Sequence, residues 1–260
     1  VVLTQNFYLN GCERVGMKVA RVFGVLLSLF ASSCHKSAYA NTSIIAINIP
    51  GLHQLDGQGV YDRVINRIFA DKEKVTVTVY PPARASKLFE QCSNCCFSPA
   101  NKDTEFYDFN RKLVETEPMN TAKIYIFVAE NQPPINQLSA LKNKIVGIRH
   151  GMPYGKSFYK QNLKILQVTD LEDHIKLLKR KHIDAFIAYA PDIYIKFNEL
   201  NMKSLPHDVY NPIAVHPDKM VCHGVAGPLL ETFNKGILQL KSTGELKEIL
   251  GKYHIASPAK

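Results

Sequence analysis

Short apolar segments alternate with amphipathic segments along most of this sequence. Residues 44–49 form an apolar run that ends at a Pro-Gly pair, residues 60–70 carry apolar side chains at helical spacing, and residues 75–80 alternate strictly between apolar and polar. The same order begins again at residue 123. Because strands that alternate with helices form mostly parallel sheets with flanking helices, the sequence predicts an α/β protein with two such units.

The remaining predicted elements follow from the same two periodicities. Near the end of the chain, a strand (220–222) and two helices (229–240 and 245–253) have no sheet of their own, so we expect them to rejoin the first unit and make it discontinuous. The other predicted strands are 95–97, 123–129, 145–148, 165–168 and 183–188, and the other predicted helices are 83–90, 151–161, 171–181 and 191–199.

Residues 17–40 have the order of a secretory signal peptide. A Met followed by two basic residues precedes a short apolar run, and Ala38 and Ala40 supply the small residues of a cleavage site. The run is much shorter than the ~20 residues that span a bilayer. We therefore expect cleavage after Ala40, a periplasmic location, and a translated upstream or non-native origin for residues 1–16. A buried N-terminal helix and a lipoprotein acylated at Cys34 are the alternatives.

The composition excludes several function classes. The 260 residues include 32 Lys and Arg against 23 Asp and Glu, for a formal net charge of +9, but no basic run is interleaved with aromatic residues in the manner of a nucleic-acid-binding surface. The sequence also has no phosphate-binding loop, no Ser-His-Asp string and no complete metal motif. We therefore expect a small-molecule ligand, no nucleic acid, no cofactor, no metal and no catalytic residue.

Four cysteines would remain after signal-peptide cleavage, namely Cys92, Cys95, Cys96 and Cys222. An even number of cysteines in an oxidising compartment favours disulfides. The pair Cys92-x-x-Cys95 also has the spacing of a redox motif or of half a zinc site, and free buried thiols are a further alternative. The residues alone do not decide between disulfides, a redox motif, half a zinc site and free thiols.

Four strings, in this order, carry a resemblance to a known family. Residues 138–148 read LSALKNKIVGI and precede Gly151, residues 179–188 read KRKHIDAFIA, residues 233–253 run from FNKGI through a Gly to a closing Tyr, and residues 57–62 read GQGVYD. With these strings the chain from residue 41 onward resembles the family-3 solute-binding proteins of amino-acid ABC transporters, which have the type II periplasmic fold.

The resemblance implies two lobes joined by a two-strand hinge, with a ligand held in the cleft between them. Lobe I would comprise residues 41–122 and 213–260, lobe II would comprise residues 130–206, and the chain would cross near 123–130 and 205–213. It also implies a monomer without enzymatic activity. The protein would serve an ABC transporter permease or a membrane sensor.

The resemblance also bears on the cysteines. In this fold the third strand of lobe I, which contains Cys96, lies beside the strand that returns to lobe I, which contains Cys222. We therefore expect Cys222 close to Cys95 or Cys96, with Cα atoms no more than ~7 Å apart if the pair is bonded.

Candidate ligand-binding residues lie where strands end and helices begin. Arg149, Gly151 and Tyr154 follow one strand, at a place where free backbone N–H groups and a guanidinium favour an anion. The further candidates are Arg84, Ser98 and Lys102 at strand ends of lobe I, with Tyr80 and Tyr189 as aromatic walls.

Two departures from the family pattern affect the expected ligand. The family's arginine after the third lobe-I strand is missing from Ser98-Pro99-Ala100-Asn101-Lys102, and Tyr189 stands where the family has an ammonium-binding aspartate. We therefore expect a small polar or anionic ligand, either amino-acid-like or an organic acid. A cyclohexadienyl dehydratase-like enzyme on the same fold and an orphan sensory module are the alternatives.

Overall fold

The computed structural model describes residues 43–70 and 75–256. The predicted signal peptide (17–40), its cleavage site, the upstream residues 1–16 and the alternative at Cys34 lie outside the described residues. Within the described ranges, no helix is both long enough and apolar enough to cross a membrane.

Strands and helices alternate along the described chain, and the predicted α/β class is confirmed. The strands are β1 (Ser43–Ile47), β2 (Thr76–Tyr80), β3 (Cys95–Ala100), β4 (Leu113–Glu115), β5 (Asn120–Val128), β6 (Ile145–Arg149), β7 (Lys164–Val168), β8 (Ala185–Ala190) and β9 (Ala214–His223). The helices are α1 (Val60–Phe69), α2 (Pro82–Gln91), α3 (Lys156–Tyr159), α4 (Leu171–Lys179), α5 (Asp192–Glu199), α6 (Gly227–Thr243) and α7 (Glu245–Leu250).

We use the name lobe I for β1–β4, α1, α2, α6 and α7, and lobe II for β6–β8 and α3–α5. In lobe I, β1 pairs in parallel with β2 on one side and with β3 on the other. Helix α1 buries Val64, Ile65 and Ile68 as an apolar stripe at helical spacing. Strand β9 returns antiparallel to β3, and α6 packs against α1, so the end of the chain completes the sheet that β1 began.

Lobe II is a second, mostly parallel sheet. Strand β6 pairs in parallel with β7 and β8, and α4 and α5 cover one face of the sheet. Their apolar side chains form a separate core with Phe127, Phe186 and Phe197 at its centre.

Strands β5 and β9 connect the two sheets. Residues 120–124 of β5 pair antiparallel with residues 214–218 of β9, while the rest of β5 pairs with β8 and the rest of β9 pairs with β3 and β4. The described strands therefore form one series, β2-β1-β3-β9-β5-β8-β6-β7, with β4 beside β9. The lobe boundaries and crossings predicted above stay predictions.

Three elements differ from the expectation. The helix predicted over 151–161 is only α3, because Gly151 and Gly155 adopt positive φ values of 80° and 88° and interrupt helical geometry. Strand β9 begins at Ala214 rather than at residue 220, and β4 was not expected. The longer β9 matters for function, because its extra residues reach the junction between the lobes.

Candidate ligand-binding site

A small cavity lies where the two lobes meet. Lobe I contributes Ile47, Leu52 and Tyr107 to its lining, lobe II contributes Met152, and the remaining lining residues include Tyr189 and three polar residues described below. The cavity volume is about 20 Å³, which is close to the space that one water molecule needs. Residues from distant parts of the sequence therefore converge on a site the size of one polar head group.

Asp192 brings a carboxyl group into this cavity from lobe II. It is the first residue of α5, directly after β8 and Pro191, and it is 2% exposed. Burial raises the pKa of Asp192 to about 7, although Arg149 and the backbone N–H groups at the start of α5 act in the opposite direction.

Asp218 brings a second carboxyl group from β9. The hydroxyl of Tyr61, which is completely buried in α1, donates a 2.5 Å hydrogen bond to it. Burial raises the pKa of Asp218 to about 6, while the bond from Tyr61 lowers it. Among the described residues, no Lys or Arg forms an ion pair with Asp192 or Asp218.

His216 lines the same cavity, two residues before Asp218 on β9. Burial lowers its pKa to about 4, so its ring is neutral at pH 7. Its ring stands against Phe106, with ring centres 3.9 Å apart, and the Nε2 atom has no hydrogen-bond partner among the described residues.

The contact with Asn101 favours one of the two neutral tautomers of His216. The Asn101 Oδ1 atom accepts a 2.9 Å hydrogen bond from the backbone N–H of Asp103, which orients the amide. The Asn101 Nδ2 atom then donates to the Pro217 carbonyl at 3.2 Å and to Nδ1 of His216 at 3.4 Å. Because Nδ1 accepts, the neutral ring carries its proton on Nε2 and offers an unused N–H donor.

A larger opening of about 300 Å³ adjoins this cavity. Both spaces are lined by Ile47, Tyr107 and Met152, and the opening is further lined by Phe106 and Phe109. The loop between β3 and β4 supplies these aromatic side chains. The opening is therefore wide enough for an apolar body that the inner cavity could not hold.

Arg149, at the end of β6, borders the opening and connects the lobes. Its Nε atom donates to the Thr169 carbonyl at 3.1 Å and its Nη2 atom donates to the Asn48 carbonyl of lobe I at 2.9 Å. The residue is only 8% exposed, and its buried Nη1 atom has no hydrogen-bond partner among the described residues. One guanidinium N–H edge thus remains available.

Two further contacts hold the lobes together. Gly151 lies against the backbone of Ala83 near the start of α2, so closely that a Cβ atom there would collide with it. Glu105 of lobe I accepts hydrogen bonds from the backbone N–H groups of Lys156 and Ser157 of α3, at 2.8 Å through its carbonyl and 2.6 Å through its carboxylate. The described arrangement of the lobes is therefore a closed one.

The other predicted residues occupy different surroundings. Tyr189 lines the inner cavity, and its hydroxyl donates to the Pro153 carbonyl. Tyr154 is buried, and its hydroxyl accepts from the backbone N–H of Arg149 at 2.8 Å. Three further candidates are at least partly exposed and line neither space, namely Tyr80, Arg84 and Lys102. The guanidinium of Arg84 lies over the ring of Tyr80.

Ser98 is completely buried and lines neither of the two spaces. It is hydrogen bonded to Nε2 of His53 at 2.9 Å, and Nδ1 of His53 is 2.5 Å from Asp62. Ser98, His53 and Asp62 are linked in the order Ser-His-Asp of a nucleophilic triad. They are only 0%, 0% and 2% exposed, however, so a substrate has no access to them. Asp62 also accepts from the backbone N–H groups of Gln54 and Gly59, so the network fastens β3 to the loop before α1.

The three polar residues of the inner cavity were not among the residues predicted from the sequence. Asp192 had a usable signal, because it follows a predicted strand through Pro191, as the other candidates follow theirs. Asp218 and His216 had a weaker signal, since Pro217 between them argues against a strand interior.

Both cysteine pairs are disulfide-bonded. Cys96 is bonded to Cys222 across the β3–β9 pair, with Cα atoms 4.0 Å apart, which confirms the expected proximity. Cys92 is bonded to Cys95, so the C-x-x-C segment forms a disulfide rather than half a zinc site.

Solved structures resemble the whole described fold at low sequence identity. An ancestral arginine-binding protein bound to arginine is 16% identical, with 82% of this chain and 97% of that chain covered and a TM-score of 0.62. The GluR0 ligand-binding core from Nostoc punctiforme in complex with L-glutamate is 14% identical, with 82% and 98% covered and a TM-score of 0.63.

An ancestral amino-acid-binding protein described as a precursor of cyclohexadienyl dehydratase is 13% identical, with 82% and 95% covered and a TM-score of 0.62. No protein-family model matches the chain. No curated protein sequence matches it either. What the chain shares with these proteins is therefore the fold.

Proposed function

We propose that this chain, which has the two-lobed fold of the type II periplasmic binding proteins, is an exported solute-binding protein. It encloses a small polar ligand, amino-acid-like or an organic acid, between its lobes by hinge closure. The observation that carries the proposal is the cavity at the lobe junction, onto which buried polar side chains of β9 and α5 converge. A buried ionised carboxyl group is unfavourable unless hydrogen bonds or an opposite charge compensate it, and a bound ligand can supply either.

The proposal includes a biological setting. The chain would be cleaved after Ala40, act as a monomer in the periplasm, and serve an ABC transporter permease or a membrane sensor. The arginine-bound and glutamate-bound neighbours support an amino-acid-like ligand. Of the predicted contact residues, Arg149, Gly151 and Tyr189 border the two spaces at the junction, and we propose them as the first to test.

A thermal-shift screen of the protein purified from the periplasm tests the proposal. The panel contains amino acids, organic acids, short peptides and amines. A ligand at 100 times its Kd should add about 2.7 kcal/mol to the free energy of unfolding. We expect one chemical class to raise Tm, and a cooperative melt with no shift across the whole panel would contradict a solute-binding role.

One observation favours catalysis as a second candidate function. Two carboxyl groups whose pKa values burial raises to about 7 and about 6 lie in one cavity, and such groups can act as general acid and base near neutral pH. If the protein is an enzyme, prolonged incubation with a stabilising ligand should consume that ligand, which mass spectrometry would detect. Recovery of the intact ligand would favour simple binding.

A further inference from the structure

The inner cavity contains two buried carboxyl groups and no positively charged ion-pair partner for them among the described residues. Asp192 and Asp218 both line it, both are more than nine-tenths buried, and neither forms an ion pair within the described chain. Arg149 acts electrostatically on Asp192, but its guanidinium is bonded to carbonyl groups of Asn48 and Thr169. A positive charge brought by a ligand would offset part of the negative charge of these two carboxyl groups.

An independent observation points to an oxygen atom beside that charge. The Nε2 atom of His216, which is 97% buried, is an N–H donor without a partner among the described residues. Its hydrogen is assigned by the bond that Asn101 donates to Nδ1. An unused buried donor is costly, so a ligand that offers an acceptor there gains affinity.

The two adjoining spaces differ in size, and this difference indicates a ligand with a small head group and a larger body. The inner cavity of about 20 Å³ holds little more than a charged group. The adjoining opening of about 300 Å³ combines the aromatic side chains of Phe106, Tyr107 and Phe109 with polar lining residues that include Glu90, Asp108, Arg149, His150 and Gln167. Tyr107 and Met152 line both spaces and stand where a ligand would pass from one to the other. A ligand that fills both spaces has a small polar head and a larger body, and the aromatic side chains of the opening offer an apolar body its contact surface.

We infer that the ligand is an organic ammonium compound with an oxygen acceptor next to the ammonium group and an apolar body. The ammonium group is held between Asp192 and Asp218, the oxygen accepts from Nε2 of His216, and the body lies against Phe106 and Tyr107. The inference rests on the proposed solute-binding function and narrows it. A free carboxylate is not required, which distinguishes this class from an organic acid.

A series of matched compounds tests each part of the head group by titration calorimetry with the exported protein. L-Phenylalaninol carries the ammonium group, the oxygen and the aromatic body, 3-phenyl-1-propanol lacks the ammonium group, and 2-phenylethylamine lacks the oxygen. We expect loss of the ammonium group to weaken binding by at least ~30-fold and loss of the oxygen by about 5-fold. Binding of 3-phenyl-1-propanol or 3-phenylpropionate within about threefold of phenylalaninol would overturn the inference.

Variants connect the result to the residues. Asp192→Asn keeps the size of the side chain and should weaken phenylalaninol binding by at least ~30-fold while 3-phenyl-1-propanol is unaffected. Glu231→Gln removes an exposed acid on α6 and is the matched control. Asp218→Asn tests the second acid in the same way. If that variant does not fold, Tyr61→Phe replaces it, because it removes the hydrogen bond to Asp218 and keeps the Asp218 carboxyl group.

The outcomes separate the inference from the function on which it rests. If an organic acid binds tightly and no amine does, the protein is a solute-binding protein and the ammonium assignment is wrong. If no compound of the wider panel binds, the solute-binding role itself fails. Equal binding of phenylalaninol by the parent and by Asp192→Asn would also overturn the assignment of the head group.

Discussion

Asp192 begins α5 with its carboxyl group buried, and burial raises its pKa to about 7. In an unfolded chain an aspartate titrates near 3.9. Between about pH 4 and pH 7 the folded protein therefore binds more protons at this residue than the unfolded chain does, and its contribution to the free energy of unfolding falls as the pH rises. The charged groups that act on it are Arg149, which lowers the pKa, and Asp218, which raises it.

Asp192→Asn should stabilise the ligand-free protein at pH 7.5 and change it little at pH 4.5. The amide removes a carboxylate that is unfavourable when ionised and buried, and each unit of pKa shift corresponds to about 1.4 kcal/mol. Urea unfolding at the two pH values measures the effect, with Glu231→Gln as the surface control. An Asp192→Asn protein that is less stable than the parent at pH 7.5 would show that the carboxylate is needed for folding.

At the scale of single residues, the sequence predicts strand ends well and side-chain direction poorly. Phe97 and Ser98 are neighbours on β3, yet Phe97 lines the larger opening while Ser98 is buried and hydrogen bonded to His53, which in turn contacts Asp62. Successive side chains of a strand point to opposite faces, so an error of one residue exchanges the cleft for the core. Arg149 borders the larger opening, and its position directly after the apolar run 145–148 suggests such a place.

Strand β9 is the element that joins the functional features. It pairs with β5 at the junction, pairs with β3 and β4 in lobe I, and carries His216 and Asp218 to the inner cavity. Its apolar end was predictable from residues 220–222, but its first half contains a proline and an aspartate, which are atypical of a buried strand. Only the neighbouring β5, which supplies the hydrogen bonds, makes that half a strand.

The Cys96–Cys222 disulfide fastens β9 to β3, and we expect it to matter more than the Cys92–Cys95 disulfide. The first bridges a sequence separation of 126 residues and the second only 3, and in the chain-entropy model the longer loop restricts the unfolded chain far more. Replacing Cys96 and Cys222 together by Ala should cost about 4–5 kcal/mol, and replacing Cys92 and Cys95 together about 2 kcal/mol.

Chemical denaturation of the two double variants, each in oxidising buffer, compares these costs. Each double variant lacks both cysteines of one disulfide. The remaining pair therefore meets no leftover thiol with which it could form an incorrect bond. Equal destabilisation would mean that the link between β3 and β9 contributes no more than a local turn.

At the scale of the whole molecule, closure depends on contacts that have no counterpart in secondary-structure patterns. The alternation of strands and helices predicted the α/β class, and the unpaired C-terminal segments predicted a return to the first unit. Neither pattern contains the distance between Arg149 and Asn48, or between Glu105 and α3, because these groups meet only when the two lobes close. The inner cavity exists for the same reason.

Gly151 offers a direct test of closure. Its φ of 80° and its approach to Ala83 both disfavour a side chain, whereas Gly57 has a similar φ of 70° with nothing within 4 Å of an added Cβ atom. Gly151→Ala and Gly57→Ala should therefore share the backbone cost of about 1–2 kcal/mol, but only Gly151→Ala should force the lobes apart. Small-angle X-ray scattering should show a larger radius of gyration for Gly151→Ala alone, together with weaker ligand binding. Identical scattering and affinity for both variants would mean that the loop after β6 moves away without opening the cleft, and the closed contacts would then not determine ligand binding.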